Sequence, residues 1–344
     1  MVDYLQSIGS VITKKDFIDW RDRYIKIYKP AQTNYRGYDV YTSPIETGGE
    51  AVINILNLLN GFDLGTSPSA PAIHLMMESV KVAFTDRFYW VTDPYFVEVP
   101  YFGLTSQGYA NQRRTLISPF IVAPAYPVGN PWPFDNNLGP DFYLEKKHPF
   151  DAEDTHPNTT STSTVDQDGN MVAMTFTVNS DYGSGITVPG TGITLNDGLT
   201  GNKFSLDPSS ANYLEGGKLI LNNMNPYLIL KDGNAIISGG AAGGRTILDS
   251  CVQTIVQLIN FHKDIFHAMN APRFHCEATE SSCSFEKTYD PTILSQLIRM
   301  GHSSVTTTSI GAQHGLTFDP NTGLSTMSID LRDDRSTAAG FQKK

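Results

Sequence analysis

Two stretches limit this chain more than any others: "STSTVDQDGNMVAMTFTVN" (161–179) and "YLILKDGNAIISGG" (227–240). Each is a pair of alternating apolar and polar runs joined through Asp-Gly. Two-residue hairpin turns of the tight, primed type need a positive φ, and glycine supplies it at no steric cost. Asp168-Gly169 and Asp232-Gly233 therefore predict antiparallel hairpins. A third, "GLTFDPNTGLSTMSID" (315–330), follows near the C-terminus. A chain with three such hairpins must cover their apolar faces.

Helical patterns supply the cover. "TGGEAVINILNLLNGF" (47–62) has helical spacing after a glycine pair, and "SAPAIHLMMESVKVAFTDRFYWVTDP" (69–94) is the longest such pattern. In the latter, Ile73, Met76, Met77, Val80 and Val82 to Phe84 predict a buried face, ended by Pro94. "KKDFIDWRDRYIKIY" (14–28) predicts a polar helix or helix–strand link, and "YDVYTSP" (38–44) a short strand. Residues 245–272 predict one or two helices with Ile247, Val252, Ile255, Val256 and Ile259 as the buried stripe. Residues 117–158, rich in Pro, Asn and Asp, predict an extended loop and an internal boundary. Antiparallel sheets covered by long helices imply a layered α/β (α+β) sandwich.

Composition narrows the function. With 344 residues, 40% hydrophobic and 17% charged, the chain is folded and globular. A net charge of −10 without a basic run argues against nucleic-acid and anionic-membrane partners. No apolar run is long enough to span a membrane. The N-terminus lacks a basic region followed by an apolar core, so it reads as cytoplasmic rather than as a signal peptide. Cys251, Cys276 and Cys283 do not make a disulfide framework; at most Cys276 and Cys283 could pair, and free thiols are the better reading. His74, His148, His156, His262, His267, His275, His302 and His314 are scattered, and no spacing predicts a metal site. No cofactor is expected. Asn158-Thr159-Thr160 also matches a glycosylation sequon, read as a chance match. Asp330, Arg332, Asp333, Asp334 and Arg335 read as a solvated or structural cluster.

Two stretches could carry chemistry. "GGAAGGRT" (239–246) approximates a phosphate loop, between a predicted strand and a predicted helix. Arg245 stands where lysine would reach the phosphates, and the two side chains are not interchangeable. A glycine turn at a helix start still offers backbone N–H groups to a developing oxyanion. "NTTSTSTVDQDGN" (158–170) crowds six hydroxyls ahead of a turn. Such residues commonly cap turns. A threonine becomes a nucleophile when it opens a chain, because its own α-amine is then the base.

As an ordered set, the motifs resemble the γ-glutamyltranspeptidases, self-processing N-terminal nucleophile hydrolases. "TTSTSTVDQDGNMVAMTFTVN", "GSGITVPGTGITLN", "NMNPYLILKDG" and "GGAAGGRTI" are similar to that family's small subunit. "ITKKDF", "YRGYDVYTSP", "GGEAVINILNLL", "DRFYWVTDP" and "VPYFGLTS" are similar to the second half of its large subunit, and "NAPRFHCE" and "IDLRDDRSTAAG" to its C-terminal segments. The resemblance implies a four-layer αββα sandwich. It also implies cleavage at Asn158–Thr159 into segments 1–158 and 159–344, both parts of one fold. Thr159 is the implied nucleophile, Thr177 its support, and Gly243 and Gly244 the oxyanion donors. Asn179 is an implied substrate ligand. An acyl-enzyme on Thr159 would pass its acyl group from a glutathione-like amide to water, an amino acid or a peptide.

Three departures stand beside this. Where the family grips the donor's α-amino group, "NDGLTGNKF" places Gly198 and Gly201, leaving Asp197 or Asn202 to stand in. Where it has a serine pair for the donor carboxylate, Asn222 and Asn223 stand, and their amides can still donate. The family's N-terminal half, with its carboxylate-binding arginine, has no counterpart here: the arginine is replaced, or another chain supplies it, or this is a piece of a split or truncated gene, and the core surface left exposed favours a homo-oligomer or a partner chain. The expected function is a γ-glutamyltransferase or γ-glutamyl hydrolase. The alternatives are an acylase for a different amide and a truncated inactive homologue.

Overall fold

The computed structural model describes residues 1–25, 27–44, 47–135, 158–199 and 204–340. Expectations for His148, His156, Gly201 and Asn202 lie outside the described residues. Most of the expected 117–158 loop does too.

After a short helix α1 (Val2–Ser7), Thr13 caps α2 (Lys14–Tyr24). The Thr13 hydroxyl accepts from the Asp16 N–H, and the Asp16 carboxylate accepts from the Thr13 N–H at 2.7 Å. This reciprocal capping fixes the helix start. The helix stops at Tyr24 rather than running towards residue 28, since Ile25 is already extended at φ −82° and ψ 91°. Strands β1 (Ala31–Tyr35) and β2 (Tyr38–Thr42) form a hairpin. Helix α3 (Gly49–Leu59) follows, then α4 (Ala70–Trp90), capped by Ser69 with a proline in its first turn. Two short helices, α5 (Tyr101–Leu104) and α6 (Gln107–Arg114), follow, and a 3-10 turn at Trp132–Phe134 closes the described part of this region.

Beyond it run β3 (Asn158–Val165), β4 (Met171–Asn179), β5 (Thr187–Val188), β6 (Ile193–Thr194), β7 (Tyr227–Lys231) and β8 (Asn234–Ala242). Helices α7 (Thr246–Ile259) and α8 (Ile265–Asn270) come next, then β9 (Phe274–His275) and β10 (Ser284–Glu286). Helix α9 (Pro291–Met300), β11 (Thr306–Thr307), β12 (Ala312–Asp319) and β13 (Leu324–Ile329) complete the order. All three expected hairpins form, as β3–β4, β7–β8 and β12–β13. The Asp-Gly turns have the required geometry, with φ at 83° for Gly169 and 80° for Gly233.

Six strands make one antiparallel sheet in the order β1-β2-β7-β8-β12-β13. Strand alternation gives β8 two jobs. Ile237 and Ala241 join the core shared with α3, α4 and α7. Ser238 and Gly240 face the β3–β4 hairpin, and the Ser238 hydroxyl donates to the Val172 carbonyl at 3.2 Å. A Cβ on Gly240 would come within 2.3 Å of Ser161 Oγ, so glycine there lets the two sheets approach. The result is the expected mixed fold: helices over a sheet, and that sheet stacked on a second. On the outer face of the hairpin, Val172, Met174 and Phe176 are 59%, 47% and 51% exposed. That face is an uncovered apolar stripe among the described residues.

Two expectations need correcting. Helix α4 is buried on nearly every side, not on one face. Its charged residues are tolerated because each meets an opposite charge: Lys81 with Glu78 and Glu280, Asp86 with Arg113, and Arg87 with Glu50. Cys276 and Cys283, read as free thiols, form a disulfide. The turn through Thr279 brings their Cα atoms to 4.1 Å, so the pairing read from sequence as the lesser alternative is the one the fold makes. Cys251 remains free and buried, and burial pushes its thiol up to about 12.

Candidate active site around Thr159

Thr159, the second residue of β3, pairs with Thr177 of β4, and their hydroxyls lie 3.4 Å apart. The register slips beside it. Asn158 pairs with Asn179, so Val178 is an extra residue opposite the Asn158–Thr159 link. Bulges of this kind re-aim the backbone at strand ends and beside active sites. Asn179 takes a φ of 77°, a conformation costly for most side chains and tolerated by asparagine. Its N–H donates to Thr177 Oγ1 at 2.8 Å, and its side-chain amide donates to Asp197 Oδ1 at 3.1 Å. Asp197 also accepts from the Ser180 N–H at 3.0 Å. Burial pushes the Asp197 carboxyl up, but the bonds from Ser180 and Asn179 outweigh it and hold it below the usual range. Asp197 thus braces the end of β4.

The glycine loop leads from β8 into α7. Gly243 and Gly244 have φ of 131° and 61°. A Cβ on Gly243 would stand 2.5 Å from Thr246 Oγ1 and 2.9 Å from Gly311 Cα. The Gly243 carbonyl is held by the Thr246 hydroxyl at 2.8 Å. Among the described residues, neither glycine N–H is bound by a backbone carbonyl. Arg245 is turned away from any anion in this loop. Its Nε lies 2.8 Å from Glu277 Oε1, and its guanidinium stacks over Phe88. The phosphate-loop reading fails on this side chain.

Thr159 lies between two cavities. One, of about 480 Å³, also reaches Thr177, Asn179, Asn222, Asn223 and Gly244. The other, of about 400 Å³, is lined by Gly243, Ser309 and the charged run Arg332 to Arg335. The structure therefore brings Thr159, Thr177, Asn179, Asn222, Asn223, Gly243 and Gly244 together. It leaves Asp197 behind Asn179, outside the cavity lining. Asn222 Oδ1 accepts from the Met224 N–H at 3.1 Å, and Asn223 Oδ1 accepts from Arg87 at 3.2 Å. With those oxygens held, each amide has its NH₂ left to donate. Arg87 also donates to the Asn222 carbonyl at 2.7 Å, so a buried cation fixes this loop from behind.

Sequence reasoning missed Asp333, Asp334 and Arg335 as neighbours of Thr159. It read the whole run as one cluster, and the structure splits it. Asp330 and Arg332 form a buried network with Arg273 and Glu286. The next three residues reach the second cavity.

A second polar centre lies apart from this site. His74 and His302, 228 residues apart, place Nδ1 and Nε2 2.8 Å from each other. With Glu78 they are the one group of three metal-binding side chains that converges among the described residues. The spacing is that of a hydrogen bond, since two nitrogens on one tetrahedral zinc stand about 3.3 Å apart. The outer nitrogens face the Ser118 carbonyl at 2.8 Å and the Glu280 carboxylate at 3.1 Å, and both accept. Lys81 ties Glu78 to Glu280. Burial holds His74 below its ordinary value.

The gamma-glutamyltranspeptidase family model matches residues 1–340. The chain is 30% identical over 332 residues to the glutathione hydrolase proenzyme of Escherichia coli, covering 92% of this chain and 53% of that protein. It is 29% identical over 325 residues to the acylase ACY 1 proenzyme of Pseudomonas sp. strain SE83, covering 93% of this chain and 53% of that one. Among solved structures, the cephalosporin acylase from Bacillus halodurans superposes with a TM-score of 0.82 at 26% identity. That match covers 99% of this chain and 58% of the acylase. The chain thus spans about half the length of the curated relatives it matches. On the family model and these relatives together, the chain belongs to the gamma-glutamyltranspeptidase family.

Proposed function

We propose that the chain is an amide-cleaving acyl-transfer enzyme whose nucleophile is Thr159, made N-terminal by cleavage of the Asn158–Thr159 bond. The observation that carries this is the Thr159 hydroxyl facing Thr177 Oγ1 at 3.4 Å, between two cavities and beside the glycine loop. Thr159 Oγ attacks the amide carbonyl, and the freed Thr159 α-amine takes the hydroxyl proton. The Gly243 and Gly244 N–H groups stabilise the oxyanion. The C–N bond breaks, the proton passes to the leaving nitrogen, and an ester on Thr159 remains. Water, or an amine acceptor such as an amino acid or peptide, releases the acyl group and restores the hydroxyl. Thr177 orients the nucleophile, and Asn179, Asn222 and Asn223 contact the substrate.

The relatives' names support two donor classes. Glutathione hydrolases suggest a γ-glutamyl amide, and acylases suggest another amide. Gly198, where a side chain would bind an α-ammonium, favours the second. The uncovered stripe on β4 supports a further chain or second copy packing there. The Cys276–Cys283 disulfide suits an oxidising compartment rather than the cytoplasmic reading.

The test is rapid-quench intact mass after mixing with an activated amide. The expected result is an acyl adduct on the polypeptide that begins at Thr159, absent from Thr159→Ala. Turnover by Thr159→Ala at the wild-type rate contradicts the proposal.

A further inference from the structure

The cavity that joins Thr159 to Asn222 is shaped for part of its donor. An α-amino-acid donor would bring an ammonium, and a buried ammonium needs a carboxylate or several oxygens. Among the described lining residues there is no Asp or Glu. The acid nearest in sequence, Asp197, is bound to Asn179 and Ser180. Gly198 leaves no side chain, and the tip of Ile220 lies over it, with Cδ1 2.7 Å from where a Cβ would stand. Apolar side chains occupy the wall instead, with Trp20, Leu199, Leu219, Ile220, Leu221 and Met224 on it. Lys218 also lines the cavity, and its ammonium donates to the Ala211 and Tyr213 carbonyls at 2.8 and 3.1 Å.

We infer that the donor is the amide of an uncharged, apolar acyl group, not an α-amino acyl group. This rests on Thr159 being the nucleophile. The acyl chain lies along the Leu219–Leu221 wall, with its carbonyl carbon at Thr159 Oγ. A volume of about 480 Å³ is in the range of pockets that enclose small organic ligands. The Thr159 Oγ–acyl bond forms as the amide C–N bond breaks. Water then yields the free carboxylic acid and the original threonine. The released amine extends into the second cavity, whose lining carries Asp333 and Asp334 beside Arg332 and Arg335, with Asp333 bonded to Arg335 at 2.9 Å.

The experiment compares octanoyl-, glutaryl- and L-γ-glutamyl-p-nitroanilide on the full chain. The octanoyl anilide is expected to exceed the γ-glutamyl anilide on the order of 100-fold in kcat/KM, the discrimination expected when one substrate leaves a polar group unpaired. Ile220→Asp is expected to lower octanoyl turnover at least about 10-fold and raise γ-glutamyl turnover. Equal or faster turnover of the γ-glutamyl or glutaryl anilide by the wild type overturns this inference and leaves Thr159 acylation standing. No acylation of Thr159 by any of the three overturns both. The wild-type comparison decides the matter even where the variant fails to fold.

Discussion

A threonine hydroxyl is a weak nucleophile, so the surroundings of Thr159 decide whether it reacts. They comprise Thr177 Oγ1, a bulge at the preceding bond, and two glycines in conformations that other residues resist. Gly243 gives the sharpest residue-scale prediction. Gly243→Ala would place a methyl 2.5 Å from Thr246 Oγ1 at a φ of 131°. It is expected to cost about 1–3 kcal/mol of stability. If its N–H serves the oxyanion, acyl transfer should also fall on the order of 100-fold. Thermal melts and steady-state rates measure the two separately. Much of this scale was legible in the sequence. The family resemblance, not a local pattern, implies Thr159, Thr177, Asn179, Gly243 and Gly244, and the structure brings these residues near one another. Ile220 and Asp333 to Arg335 were not legible, because their importance comes from what they face in the fold.

The elements divide the same way. Two of the three hairpins were legible because Asp-Gly has a backbone reason to turn. Helix α4 was only half legible. Its Ile73, Met76 and Val80 stripe reads as one buried face, but Glu78, Lys81, Asp86 and Arg87 are buried as well. Their partners come from Glu280, Arg113 and Glu50, at sequence distances no periodicity reports. The His74–His302 pair was invisible for the same reason. Glu280 joins both networks. Burial pushes its carboxyl up, but the bonds from His302, Lys81 and the Ser303 N–H outweigh it and lower it from 4.5 to about 2. A lowered folded-state value stabilises above the unfolded value, and that stability is lost as pH falls. The wild type is therefore expected to lose melting temperature between pH 4.5 and about 2 more steeply than Glu280→Gln. Parallel curves would contradict the assigned network.

At the scale of the whole molecule, the chain spans about half of its relatives and shows an apolar stripe on its second sheet. Val172, Met174 and Phe176 alternate with inward residues of β4. A stripe of this kind favours association. Phe176→Asp is expected to shift sedimentation towards monomer while changing stability by less than about 0.5 kcal/mol, as for other exposed positions. Unchanged sedimentation would mean that the stripe is not an interface. The proposed chemistry depends on cleavage of the Asn158–Thr159 bond. Intact mass of the purified chain, beside Thr159→Ala, tests it most directly. The expected result is two polypeptides that together equal the 37.8 kDa parent plus one water, with Thr159 at a new N-terminus and an uncut variant. A single uncut wild-type chain, or cleavage that persists in the variant, would contradict it.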